Sequence, residues 1–141
     1  MEFEKLTLDH SEEIISLASE GNPDVSNADL RSRLIEMFGY SSYTCFGLFV
    51  NSELVGITSG WLTTRFYSGK QLEIDNVIVG KDFRSSGYGA EFLGYIEAWA
   101  IKEGCFTVEL NTYVTNSKSH KFYFNKGYNI LGYHFQKAVN S

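Results

Sequence analysis

The chain has 141 residues, 43% of them hydrophobic and 16% aromatic, and a formal net charge of −5. That length and composition suit one globular domain, 1–141, and exclude a disordered chain. The acidic balance argues against nucleic acid as a partner and mildly favours a cationic small molecule such as an amine.

Glu2 to Leu8 alternates and reads as a first strand. Asp9 or Ser11 can cap the helix that follows, with Ile14, Ile15, Leu17 and Ala18 on one face. Gly21-Asn22-Pro23-Asp24 breaks that helix, and Ser26 with Asp29 resembles a capping box opening a second one, through Leu30, Leu34, Ile35, Met37 and Phe38 to Gly39. Tyr43 to Val50 and Glu53 to Phe66 read as a hairpin about the tight turn Asn51-Ser52. A turn at Tyr67–Lys70 leads into a central strand, Leu72 to Val79. After Gly89 an amphipathic helix carries Phe92, Leu93, Ile96, Trp99 and Ala100, with Gly104 as its C-terminal stop. Cys105 to Leu110 is the next strand, with Phe106, Val108 and Leu110 expected inward. Asn116 begins a short helix to about Asn125, and Gly127 to Val139 reads as two closing strands with a bend near Leu131-Gly132.

The expected order is β-αα-βββ-α-β-α-ββ, a mixed α/β sheet with helices on both faces. The helix between the central strand and the Cys105 strand implies a right-handed parallel crossover. Ligands lie where such strands diverge, so the gap between these two is the candidate site. No apolar run approaches the roughly 18 residues of a membrane helix. The start, MEFEKLTLDH, is too acidic for a signal peptide, so the expected location is cytoplasmic. Cys45 and Cys105 read as reduced thiols, and no Cys/His spacing suggests a metal.

Chemistry concentrates in Leu72 to Ala90, LEIDNVIVGKDFRSSGYGA. A strand, a turn holding Gly87 and Gly89, and a helix start together make an anion site, because successive N–H groups converge there and the helix dipole adds positive charge. A phosphate loop of the GKS/T kind does not fit, since no Lys follows Gly89, and a dinucleotide fingerprint would need Gly where Arg84 stands. Arg84-Ser85-Ser86-Gly87-Tyr88-Gly89 instead resembles the pyrophosphate loop of the GNAT (Gcn5-related) N-acetyltransferases. A second block, Asn116-Ser117-Lys118-Ser119-His120-Lys121-Phe122-Tyr123 followed by Lys126-Gly127-Tyr128, is similar to that family's Asn-containing block. The element order is also that of the family. Within it, the last two-thirds look closest to the aminoalkylphosphonate N-acetyltransferases, through the Glu-Ile opening of the central strand, the His-Lys-Phe-Tyr run and the ending His134–Ala138.

The resemblance implies acetyl-CoA as co-substrate. Its pyrophosphate would lie on the backbone of Arg84, Ser85, Ser86, Gly87, Tyr88 and Gly89, with the Arg84 side chain bracing the turn. Its pantetheine arm would run along Val77, Ile78 and Val79, and Asn116 would contact it or simply cap its helix. Tyr123 matches the tyrosine that protonates the leaving thiolate. A phenol is protonated at neutral pH and can serve as that acid. Glu73, with Asp75 second, is the expected base, since an alkylammonium must lose a proton before attack; simple alternation puts both on the face of Val77 and Val79. His120 is expected on a helix surface near the coenzyme, and Trp61 and Tyr67 as walls of the acceptor pocket. The expected partner is a small primary amine. A non-catalytic acyl-CoA sensor and a protein N-terminal or lysine acetyltransferase are the alternatives, and a homodimer is compatible with the family.

Overall fold

A computed structural model describes residues 1–84 and 86–140, with the Asn76 side chain left out. The chain falls into two compact units, 1–109 and 110–141.

The first unit begins with β1 (Glu2–Lys5), followed by helices α1 (Ser11–Gly21) and α2 (Asn27–Phe38). At the start of α2, Ser26 accepts from the Asp29 amide. Ahead of α1, Thr7 closes a reciprocal capping box with His10 at a 3-10 turn, and α1 itself begins after His10 with no side-chain cap among the described residues, so neither Asp9 nor Ser11 plays the capping part expected of it. Strands β2 (Tyr43–Val50), β3 (Glu53–Arg65) and β4 (Gly69–Val79) make an antiparallel meander. The β2–β3 turn is the expected one: Asn51 and Ser52 both take positive φ, 51° and 66°, which a two-residue hairpin turn of the primed type requires. After α3 (Tyr88–Lys102) comes β5 (Thr107–Leu110), and the sheet order is β1-β2-β3-β4-β5.

The Phe106 amide donates to Lys70 O at 2.8 Å, which joins the starts of β4 and β5 as a parallel crossover demands. Phe106 itself is 81% exposed rather than inward, because it precedes β5 instead of belonging to it. The four residues of β5 carry it about to the level of Asp75. Beyond that level β4 runs on through Val77, Ile78 and Val79.

Each face of the sheet has its own cover. Helices α1 and α2 pack Ile14, Ile15, Leu17 and Leu34 against Tyr43, Cys45, Ile57 and Ile78. On the other face Phe46 meets Trp99 of α3 edge-on at 4.8 Å, and Phe3 stacks on Tyr95 at 4.9 Å.

The second unit contains α4 (Ser117–Asn125), stopped at Gly127, whose φ of 89° is open to glycine. Residues 128–140 form no strand, so the two expected closing strands are absent there. Alternating sequence supplies a strand face but not the neighbouring edge that a strand must bond, and within this unit residues 111–140 offer no strand to provide one.

Candidate active site

The register of β3 and β4 slips between Ser59 and Gly60. Ser59 faces Asn76 and Gly60 faces Ile74, so Asp75 is an extra residue, a β-bulge. The slip reverses the alternation expected from the sequence. Thr58 faces Val77 and Gly56 faces Val79, whereas Trp61 faces Glu73. Directly opposed residues share a face, so Glu73 lies on the α1–α2 side of the sheet and Val77 and Val79 on the α3 side. The expectation that Glu73 shares a face with the two valines is therefore corrected.

The bulge also aims Asp75. Trp61 Nε1 donates to its Oδ2 at 2.6 Å. Asp75 is solvent-accessible, yet the packing around its carboxyl strips enough water to raise its pKa, with the Trp61 hydrogen bond acting the other way. Glu73, two residues back, stands 3.6 Å from the Arg65 guanidinium. The Trp61 ring is tilted against Tyr43 (5.0 Å) and Tyr40 (5.8 Å). The Tyr43 hydroxyl bonds Ser59 at 2.5 Å, and burial raises its pKa. Two carboxylates, an indole and two phenols thus line one stretch of the sheet beside the end of α2.

The expected anion site falls at the end of β4. Gly80 donates to Val55 O at 2.7 Å, and a 3-10 turn, Lys81–Phe83, leads to Arg84. Arg84 Nε donates to Val79 O at 3.0 Å, and its NH2 lies 3.3 Å from Glu20 Oε1, which also accepts from the Lys81 amide. The guanidinium is thereby spent on bracing the turn, as the bracing role expects. Ser85 lies outside the described residues. Gly87 takes φ 80°, ψ 0°, and among the described residues no side chain caps α3 there, so Tyr88 and Gly89 begin α3 with amides that no described side chain caps. Uncapped first-turn amides behind a left-handed glycine suit a pyrophosphate held by backbone alone. The donor set therefore fits the coenzyme. The cleft of about 660 Å³ between α1 and the β2–β3 turn fits it badly, since Glu12, Glu13, Glu20, Glu53 and Asp82 line it.

In the second unit Asn116 Oδ1 accepts from the Ser119 amide at 3.2 Å, so its side chain caps α4. Tyr123 is partly buried between the Phe122 and Tyr128 rings (5.1 and 5.5 Å), and burial raises its pKa. His120 bonds Tyr113 O at 2.9 Å and belongs to the framework of its loop. Tyr67, expected as a pocket wall, instead donates to Glu109 at 2.8 Å at the start of β4. Sequence reading missed Glu20, because nothing local marks a helix-end carboxylate as the anchor of a loop more than sixty residues away.

Against known proteins, the profile described as the Acetyltransferase (GNAT) family matches residues 11–128. The chain belongs to the GNAT acetyltransferase family. The match runs across both compact units. An aminoalkylphosphonate N-acetyltransferase of Salmonella typhimurium is 28% identical over 90 residues, 63% of this chain, and the match spans only 58% of that protein. Among solved structures, the aminoglycoside N-acetyltransferase AAC(6')-Iy in complex with CoA is similar with a TM-score of 0.86 at 14% identity, over 99% of this chain and 95% of that one. An aminoglycoside acetyltransferase from an uncultured soil metagenomic sample, in complex with sisomicin, has a TM-score of 0.84 at 15% identity, over 99% and 96%. At such identities these likenesses carry the GNAT fold. Among the described residues no helix is long and apolar enough to cross a membrane, and no group of metal-binding side chains occurs.

Proposed function

We propose that the chain, as one acetyltransferase domain, transfers the acetyl group of acetyl-CoA to a primary amine of a small molecule by direct attack. The observation that carries this reading is the course of β4, which passes the Glu73–Asp75 bulge, runs on beyond the end of β5, and ends at a braced turn before an uncapped helix start. The strand end supplies backbone groups for the pantetheine arm at Val77, Ile78 and Val79, and the helix start supplies amides for the pyrophosphate.

In this reading the amine nitrogen attacks the thioester carbonyl carbon, the C–N bond forms, and the C–S bond breaks. Glu73 takes the ammonium proton. Among the described residues its carboxylate has one ion-pair contact, the long one to Arg65, so lone pairs remain for a substrate proton. Tyr123 gives its proton to the departing thiolate, and its raised pKa keeps the phenol protonated up to the moment of transfer. A covalent acyl-enzyme is disfavoured, because burial lifts the Cys45 thiol to about 11 and a thiol is a poor nucleophile.

The test is thiol release from acetyl-CoA across a panel of amines, with coenzyme binding followed by calorimetry. Turnover on one amine class is expected. Tight coenzyme binding without turnover on any amine would replace the enzyme by a sensor, and absence of coenzyme binding would sink the site assignment.

A further inference from the structure

We infer that Asp75, with Trp61 and Tyr40, forms a subsite for a second cationic group on the acceptor, so that the amine acetylated is a dication of the diamine kind rather than an amine bearing an anionic group. This rests on the acetyltransferase reading above and names its substrate class.

The first argument is one of unused bonding capacity. A carboxylate offers about four lone-pair sites, and one protein donor, Trp61 Nε1, is aimed at Asp75. Ion pairs elsewhere bring a guanidinium to a carboxylate: Arg31 to Glu12 at 2.6 Å, Arg84 to Glu20 at 3.3 Å, and Arg65 to Glu73 at 3.6 Å. Asp75 has no such partner among the described residues. It keeps a partly desolvated negative charge on an accessible face, where a ligand cation can supply the missing counter-charge.

The second argument concerns the walls. The Trp61 ring sits beside the Tyr40 and Tyr43 rings, and aromatic faces attract an alkylammonium while offering nothing to an anion. By donating its N–H to a carboxylate the indole becomes more electron-rich, which strengthens that attraction. Tyr40 is 53% exposed, so this wall is open to an incoming molecule.

The third argument excludes the opposite charge. Arg65 shares this face by alternation from Trp61 through Thr63, and it is turned to Glu73. A phosphonate drawn to Arg65 would share that guanidinium with Glu73 and would meet the charges of Glu73 and Asp75 at the same time. The bulge decides the outcome: it sets Asp75 beside the indole and two residues from the base, which spaces a reacting amine and a second ammonium along one short chain.

The experiment uses three acceptors built on the same three-carbon chain, propylamine, 1,3-diaminopropane and 3-aminopropylphosphonate, with the wild-type protein, Asp75→Asn and Trp61→Phe. Asp75→Asn keeps an oxygen for the Trp61 N–H, and circular dichroism with urea melts checks that each variant folds. The wild type is expected to favour the diamine over propylamine in kcat/KM by about tenfold or more, with the phosphonate last. Asp75→Asn collapses that preference through KM of the diamine, and Trp61→Phe reduces it in part. Equal loss on all three acceptors, or a wild-type preference for the phosphonate, overturns the subsite. Should no acceptor turn over, calorimetry of the diamine on the CoA-saturated protein decides separately. Binding that Asp75→Asn abolishes keeps the subsite while the acetyltransferase reading falls, and no diamine binding ends the subsite.

Discussion

Gly87 allows the anion site to be tested apart from the fold. Its φ of 80° is left-handed, and a Cβ built there meets nothing within 4 Å among the described residues. Gly104, at the end of α3, has φ 84° and the same empty surroundings. Neither substitution to alanine therefore adds a clash, and each should cost only the left-handed conformational penalty of about 1–2 kcal/mol. For a chain of this size that lowers the melting temperature by about 3–8 °C. The two variants should thus be equally destabilised. Only Gly87→Ala alters the turn that presents the first amides of α3, so it alone should weaken CoA binding, by about tenfold or more, the equivalent of roughly 1.4 kcal/mol. The assay pairs thermal melts with calorimetric titration of CoA. If Gly87→Ala binds CoA as tightly as Gly104→Ala does, the pyrophosphate does not lie on this turn and the placement of the coenzyme is wrong.

Glu73→Gln and Tyr123→Phe should each lower kcat by about a hundredfold or more while leaving CoA affinity near wild type; unchanged turnover in both would remove the assigned base and acid. Cys45 should resist iodoacetamide at pH 8 in the folded protein, because its thiol is buried and pushed up to about 11; mass spectrometry showing rapid alkylation would contradict its burial. Asp75 makes a signed prediction about stability. Its pKa is raised in the fold by desolvation, so between the ordinary Asp value and the raised one the native state binds more protons than the unfolded chain, and stability falls as pH rises through that window. Asp75→Asn removes the fall. Its urea midpoint at pH 7 should be no lower than the wild type's, with any advantage shrinking toward pH 4, and a clearly lower midpoint at pH 7 would refute the desolvation account.

Much of this architecture is legible in local chemistry. Ser26 caps where a capping residue is expected, Asn51-Ser52 turns where a primed turn is expected, and the Gly-rich turn opens α3. These features depend on a few neighbouring residues, and so a sequence displays them. The bulge was not legible. Nothing in Glu73-Ile74-Asp75-Asn76 marks an extra residue, because a bulge is a property of two paired strands and only the pairing with Ser59 and Gly60 reveals it. The same holds for Glu20, whose role depends on where the turn after β4 comes to rest. The segment 128–140 shows the reverse failure: a pattern suited to a strand does not make one without an edge to bond.

The bulge has a further consequence for how such a site can change over time. It acts as a phase inverter. Ahead of it Leu72 and Ile74 are buried on the α3 side, and behind it Ile78 is packed on the α1–α2 side. Deleting Asp75 would bring Ile74 and Asn76 together opposite Gly60 and Ser59, so every other pairing and both apolar layers would stay in place. The bulge is thus a reserve of one residue, which the strand can give up without disturbing the core. What would go with it is the carboxylate aimed at Trp61.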